Sequence, residues 1–186
     1  VPRLGEPALA AGTLRLLEQP GLPGMRPWRE GDVAAVREAF SDVELHRWHV
    51  LRIDDDAEAL AWIEQWPERW AAEEAASWAI VVDGQALGQI GLRGINLYEA
   101  KAHLSYWVLP AARGRGLAGQ AVRTLTGWCF DTLRLHRLSI EHSVRNENSC
   151  RVATKAGFPR EGTLRGSMLH ADGWHDAHSH ARLATD

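Results

Sequence analysis

The chain has 186 residues, 45% hydrophobic and 24% charged, which suits one globular domain with a real core and leaves little room for a second. A formal net charge of −3 and a pI near 6.3 exclude broad nucleic-acid binding, which needs a basic face. No apolar run approaches a membrane span, no signal-peptide pattern opens the sequence, and two cysteines, Cys129 and Cys150, are too few for a disulfide framework or a zinc cage, so a reducing cytoplasm is the expected location.

In chain order, residues 1–24 read as a loose arm or an insertion within the first strand. Residues 1–11 are expected to form a mobile tail, and Thr13 to Glu18 read as a short strand broken by Pro20, Gly21, Pro23 and Gly24. A strand at Met25 precedes a helix from Val33 to Phe40, with Asp32 as its N-cap. A second helix spans Asp56 to about Ala76. The Asp54–Asp56 run suits the positive end of its dipole, or else forms an acidic wall for a cationic amine. Trp62, Trp66 and Trp70 make one helical stripe, read as core or as an aromatic edge of an acceptor pocket, and Pro67 should kink or restart the helix.

Three strands follow, Ser77 to Val82, Gln85 to Ile95 and Ala102 to Leu109, the first two joined by the hairpin signal Asp83-Gly84. A helix from Leu117 to Leu133 leads to a strand from His136 to Val144, then a short helix from Glu147 to Ala156 ending at Gly157. Two strands, Gly162 to Met168 and Trp174 to Leu183, close the sequence.

The stretch between Leu109 and Leu117 carries the chemistry. A strand stops at Pro110, and Arg113, Gly114, Arg115, Gly116 and Gly119 crowd the turn into the next helix. The first amides of a helix lack partners and sit at its positive end, so a phosphate placed there is held by several N–H groups. Glycines at 114 and 116 let the backbone approach an anion closely. Two patterns share these letters: Gly114, Gly116 and Gly119 match the dinucleotide G-x-G-x-x-G, while Arg113, Gly116 and Ala118 match R-x-x-G-x-A. The antiparallel meander ahead of the loop is not how a doubly wound dinucleotide fold begins. No acidic residue stands where a ribose ligand would be needed, the residues there being Arg134, His136 and Arg137.

R-x-x-G-x-A resembles the pyrophosphate loop of the GCN5-related N-acetyltransferases (GNAT). Beyond it, LHRL at Leu135 to Leu138, Asn146 and Ser149 as N-x-x-S, AGF at Ala156 to Phe158, EGTLR at Glu161 to Arg165 and DGWHD at Asp172 to Asp176 follow the order of that family's RimJ/RimL-type branch. The resemblance implies a mixed α/β fold: six to seven largely antiparallel strands, splayed at the centre, with about four helices, in one domain over 1–186. It implies acetyl-CoA as cofactor, its pantetheine arm beside Trp107 and Val108, its pyrophosphate on the amides from Arg113, Gly114, Arg115 and Gly116 to Leu117 and Ala118, and a contact to Asn146. The acceptor would be a small-molecule amine or a protein N-terminus, with no nucleic acid or membrane partner and a homodimer allowed.

Direct attack by a neutral amine needs a proton acceptor, because an α-ammonium has a pKa of about 8 and a lysine one above about 10. It also benefits from a donor to the departing thiolate. Ser149 matches the branch's acid, and its other reading is a hydroxyl serving the helix N-terminus. A carboxylate that some relatives use as base falls here on Met168, so His103 stands first as substitute, then His142 and Glu99. His170, His175, His178 and His180 lack a Cys or carboxylate at ligand spacing, so no metal is expected. Asp176 is read as fixing the last turn, His180 as lining the acceptor side and Cys150 as a small buried residue. An acyl-CoA sensor without efficient chemistry is the alternative from another class, and a dinucleotide oxidoreductase the third.

Overall fold

The computed structural model describes residues 6–14 and 17–186. Among these residues seven strands form one sheet in the order β1-β2-β3-β4-β5-β7-β6. The strands are β1 Met25–Pro27, β2 Ala76–Val82, β3 Gln85–Asn96, β4 Lys101–Val108, β5 Arg137–Ser143, β6 Arg160–His170 and β7 Gly173–Leu183. Every pairing is antiparallel except β4 with β5. Five helices accompany the sheet: α1 Val33–Ser41, α2 Val43–His46, α3 Asp56–Ala71, α4 Leu117–Asp131 and α5 Glu147–Lys155. The expected mixed, largely antiparallel sheet is present. The additional helix is α2, a single turn made by Asp42, whose carboxylate accepts from the amides of Glu44 and Leu45. No helix among the described residues is long and apolar enough to cross a membrane.

The β2–β3 hairpin turns at Asp83 and Gly84, both at positive φ (51° and 80°), as a two-residue turn matched to strand twist requires. Two apolar clusters cover the two faces of the sheet. One joins α4 and α5 to Trp78, Ile90, Leu92, Leu104, Leu138 and Ile140, and the other joins α1 and α3 to Trp28, Ala79 and Trp107. The tryptophan stripe of α3 is core. Trp62 meets Trp28, Phe40, Trp66 and Trp107, whereas Trp70 packs on Trp78 and Trp128 in the other cluster.

Several local expectations are corrected. Pro67 lies inside α3 without ending or restarting it, and the helix stops at Ala71, where Glu73 turns to φ 61° and the Glu74 amide closes on the Arg69 carbonyl. Asp32 does not cap α1 through its side chain. Its carboxylate accepts from the Arg29 amide and ion-pairs with Arg26 at 2.6 Å. Thr13 and Leu14 lie in a turn rather than a strand, and Arg15 and Leu16 fall outside the described residues.

Residues 1–5 of the expected tail also lie outside them, but the arm that follows is fastened. Ala8 and Leu9 donate to the carbonyls of Tyr98 and Leu97 at 3.0 Å, and Leu14 is fully buried. Glu73 receives the amides of Gly12 (2.8 Å) and Leu14 (2.7 Å) on its two carboxylate oxygens. Bonds to a charged acceptor contribute about 1.5–3 kcal/mol each, so Glu73→Ala should lower the unfolding free energy by about 2 kcal/mol in urea titration. The backbone contribution cancels, because both residues must hold φ near 61°. A loss below about 0.5 kcal/mol would mean that the arm adds nothing.

Candidate active site

β4 keeps its antiparallel partner β3 as far as Val108, but it runs beside β5 only at Lys101 to His103, facing Arg137 to Ser139. From Leu104 onward β4 and β5 are no longer paired, while β5 keeps β7 on its other edge along its whole length, and one edge of β4 is left without a strand. A cavity of about 370 Å³ opens at this divergence. Its walls are the end of β4, the glycine turn with the first residues of α4, the start of α5, and the α2 segment from Glu44 to His49.

The glycine turn is shaped for close approach. Gly114 and Gly116 both sit at φ +76°, and a Cβ at either would meet nothing within 4 Å, so the space above each is open. Gly116 is the N-cap of α4 and brings no side-chain cap. The first amide of this segment to find a backbone acceptor is that of Gln120, bonded to the Gly116 carbonyl at 3.0 Å, so the preceding amides face the cavity side unspent. This cradle fits a diphosphate. Of the residues expected to hold acetyl-CoA, Trp107, Val108, Arg113, Gly114, Gly116, Leu117, Ala118, Asn146 and Ser149 border the cavity and Arg115 does not. Arg113 is engaged with Asp42. Burial pulls that carboxyl upward, but the Arg113 hydrogen bond and the Glu44 and Leu45 amides outweigh it, and the carboxyl sits below its ordinary range.

Ser149 is not the cap of α5. Asn146 does that work, its Oδ1 accepting from the Ser149 amide at 3.0 Å. The Ser149 hydroxyl instead lies 2.7 Å from the phenol oxygen of Tyr106, which is also 3.2 Å from the Ser149 carbonyl. Burial pushes the Tyr106 phenol up to about 12, against the lowering effect of its bond to Ser149, so it is neutral at physiological pH and keeps a proton to donate. Tyr106 is not among the residues that the sequence singles out. Strand alternation, which turns residue 106 toward α5 when 107 faces α3, was the signal available.

The proposed bases fare differently. His103 lies where β4 and β5 are still paired, with Nδ1 2.7 Å from the Ser139 hydroxyl, and borders a separate hollow of about 140 Å³ with Lys101, Arg137 and Glu141. It is therefore not placed at the cavity. Glu99 is spent on Asn96 and Lys101 at the β3–β4 turn. His142 and His180 are buried with their Nε2 atoms 3.2 Å apart, so His180 does not line an acceptor surface. Met168 is on β6, and Asp176 accepts from the Gly166 amide, fixing the hairpin. The acidic run is occupied too: Asp55 caps α3 through the Glu58 amide, Asp54 pairs with Arg52 and Asp56 with Arg37. The carboxylate and imidazole that border the cavity, Glu44 and His49, come from a segment whose proximity no spacing rule could show. His49 is exposed by its accessible surface, and its imidazole is held below its ordinary value first by the protein packed around it, then by the charges of His170 and Arg93.

Comparison with known proteins agrees with this arrangement. Residues 24–159 match the family model described as an acetyltransferase (GNAT) domain. The chain is 31% identical over 113 residues to YdaF of Bacillus subtilis (strain 168), covering 61% of each chain. It is 28% identical over 109 residues to the ribosomal-protein-serine acetyltransferase of Escherichia coli (strain K12), covering 59% of this chain and 61% of that one. The matches thus span about three fifths of those relatives. The structure of Mycobacterium smegmatis RimJ in complex with CoA-disulfide superimposes with a TM-score of 0.81 at 24% identity, covering 89% of this chain and 85% of that one. With a parted sheet centre, an open glycine turn at a helix start and a family model matched over most of its length, the chain belongs to the GNAT acetyltransferases.

Proposed function

We propose that this acetyltransferase passes the acetyl group of acetyl-CoA directly to a protein amine, an N-terminal α-amine before any other, in a ternary complex. The observation that carries the reading is the divergence of β4 from β5 beside the open turn at Gly114 and Gly116. It leaves a strand-wide gap lined by backbone for the pantetheine arm and unspent amides for the diphosphate. The names of the relatives, ribosomal-protein-serine acetyltransferase and RimJ, support a protein acceptor, and the CoA in the RimJ structure supports the donor.

The residues divide the work. Amides of the turn hold the donor, and the unpartnered edge of β4 offers N–H groups toward the thioester oxygen; one such donor contributes a few kcal/mol in comparable acyl transfers. Tyr106 donates to Ser149, which frees the Ser149 O–H to protonate the departing sulfur. His49, neutral near pH 7, accepts the proton of the attacking ammonium directly or through water.

Continuous thiol-release assay with a panel of peptides bearing free or blocked N-termini, and of small amines, tests the whole reading. Turnover confined to free N-terminal peptides is expected. Turnover only on small amines would reassign the acceptor, and acetyl-CoA binding without turnover on any amine would leave a sensor. His49→Ala should lower kcat/KM about 100-fold. In the wild type, activity should fall as pH drops through a value below about 6.5, because protonated His49 no longer accepts; in the variant that acid limb should vanish. His103→Ala should leave both rate and profile unchanged, and the opposite pattern would return the role to His103.

A further inference from the structure

His142 on β5, His178 and His180 on β7 and Cys150 on α5 offer ligand atoms that all lie within 4.8 Å of one another. Two of the histidines came from a C-terminal series in which sequence spacing gave no ligand set. The fold leaves the other two of that series aside, since His170 and His175 stack on each other with ring centres 4.4 Å apart. In their place β5 supplies an imidazole and α5 a thiol.

The hydrogen bonds fix the tautomers. A carbonyl oxygen only accepts, so His142 donates from Nδ1 to the Ser143 carbonyl at 2.8 Å, and His180 from Nδ1 to the Phe158 carbonyl at 2.9 Å. In the neutral rings both Nε2 atoms are then lone pairs, and they face each other at 3.2 Å. Two acceptors at that distance require something positive between them. A proton is disfavoured, because His142 is 4% and His180 1% exposed, and burial opposes a charged ring. The Cys150 sulfur lies 3.9 Å from His180 Nε2, and the buried Nδ1 of His178 has no hydrogen-bond partner.

We propose that His142, His178, His180 and Cys150 form a site for a tetrahedral divalent transition-metal ion of the zinc class. Metal–nitrogen bonds of about 2.0–2.1 Å and a metal–sulfur bond of about 2.3 Å give tetrahedral edges of about 3.3 Å between nitrogens and about 3.6 Å between nitrogen and sulfur. The observed 3.2 and 3.9 Å bracket those edges. The carbonyls of Ser143 and Phe158 already supply the outer hydrogen bonds that orient metal-bound imidazoles.

Binding releases the Cys150 thiol proton to solvent and leaves a thiolate on the metal. His178 must carry its proton on Nε2, so the exposed Arg160, which donates to that nitrogen at 3.2 Å, turns away. Cys129 cannot substitute as the thiolate: it is fully buried and its thiol is pushed far above the ordinary range. Because Cys150 follows Ser149 in the first turn of α5, the ion would tie that turn to β5 and β7 and so position the Ser149 hydroxyl.

The test is titration of the chelator-treated full chain with Co²⁺ alone. One equivalent should produce the near-ultraviolet thiolate-to-cobalt band and the intense visible bands of a tetrahedral ion, and Zn²⁺ should bleach both. Zn²⁺ at 100 times its Kd should raise Tm by about 5–10 °C. Cys150→Ser should abolish the thiolate band, and His178→Gln, at a less buried position, should weaken Co²⁺ binding at least tenfold, each variant first shown folded by circular dichroism. Absence of the tetrahedral spectrum would overturn the site, as would binding that survives both substitutions and therefore belongs to other histidines.

Discussion

Gly116→Val should raise the Kd for acetyl-CoA about 100-fold, a loss of about 2.7 kcal/mol. Two effects combine at this position. The valine side chain would project into space that nothing in the protein fills, which is where phosphate oxygens would lie against the α4 amides. Losing two charge-assisted contacts at about 1.5–3 kcal/mol each is enough for the predicted change. Holding a non-glycine residue at φ +76° also costs about 1–2 kcal/mol of stability. The control separates them: Gly24 has φ +74° and equally open surroundings but lies in the turn before β1, away from the cavity. Gly24→Val should therefore share the fall in Tm and keep the wild-type affinity. Calorimetric titration of both variants with CoA measures this, and equal affinities would remove the glycine turn from the donor site.

The second large effect is expected at Tyr106. Tyr106→Phe should lower kcat about 100-fold with KM for acetyl-CoA changed less than about threefold. On this reading the phenol donates to Ser149; without it, the negative charge that grows on the Ser149 oxygen as its proton passes to sulfur has no hydrogen-bond donor. Ser149→Ala should show a similar loss, and the double variant should be no worse than either single one, since both changes break the same proton path. Because the phenol titrates only near about 12, no alkaline limb from it should enter the wild-type profile between about pH 7 and 10. If Tyr106→Phe instead lowers Tm while kcat stays intact, the two hydroxyls merely fasten β4 to α5.

How much of this was legible beforehand differs between elements. The strand, glycine turn and helix around Gly116 could be read directly, because the turn's function depends on consecutive residues whose conformational limits are local. The same holds for the hairpin at Asp83-Gly84 and for the tryptophan stripe of α3. The end of α3 at Ala71 is not legible, since the residue that takes the left-handed turn closing it is Glu73 rather than a glycine or asparagine. Pro67 does not restart the helix, and Trp62, Trp66 and Trp70 pack on either side of it.

The site divides along the same line. Sequence by itself determined the family, the sheet and helix order and the open glycine turn, because these rest on short-range pattern and on glycine's freedom at positive φ. It could not determine which titratable groups meet. His103 lies on the strand that leads into the loop yet lines a separate hollow, while His49, more than sixty residues upstream of Gly116, borders the cavity. Tyr106 with Ser149, and His142 with Cys150, His178 and His180, are likewise brought together only by the parting of β4 from β5 and the insertion of β7 beside β5. Those contacts join distant stretches of chain, and only the tertiary structure, which orders the strands and seats α5 against them, decides them.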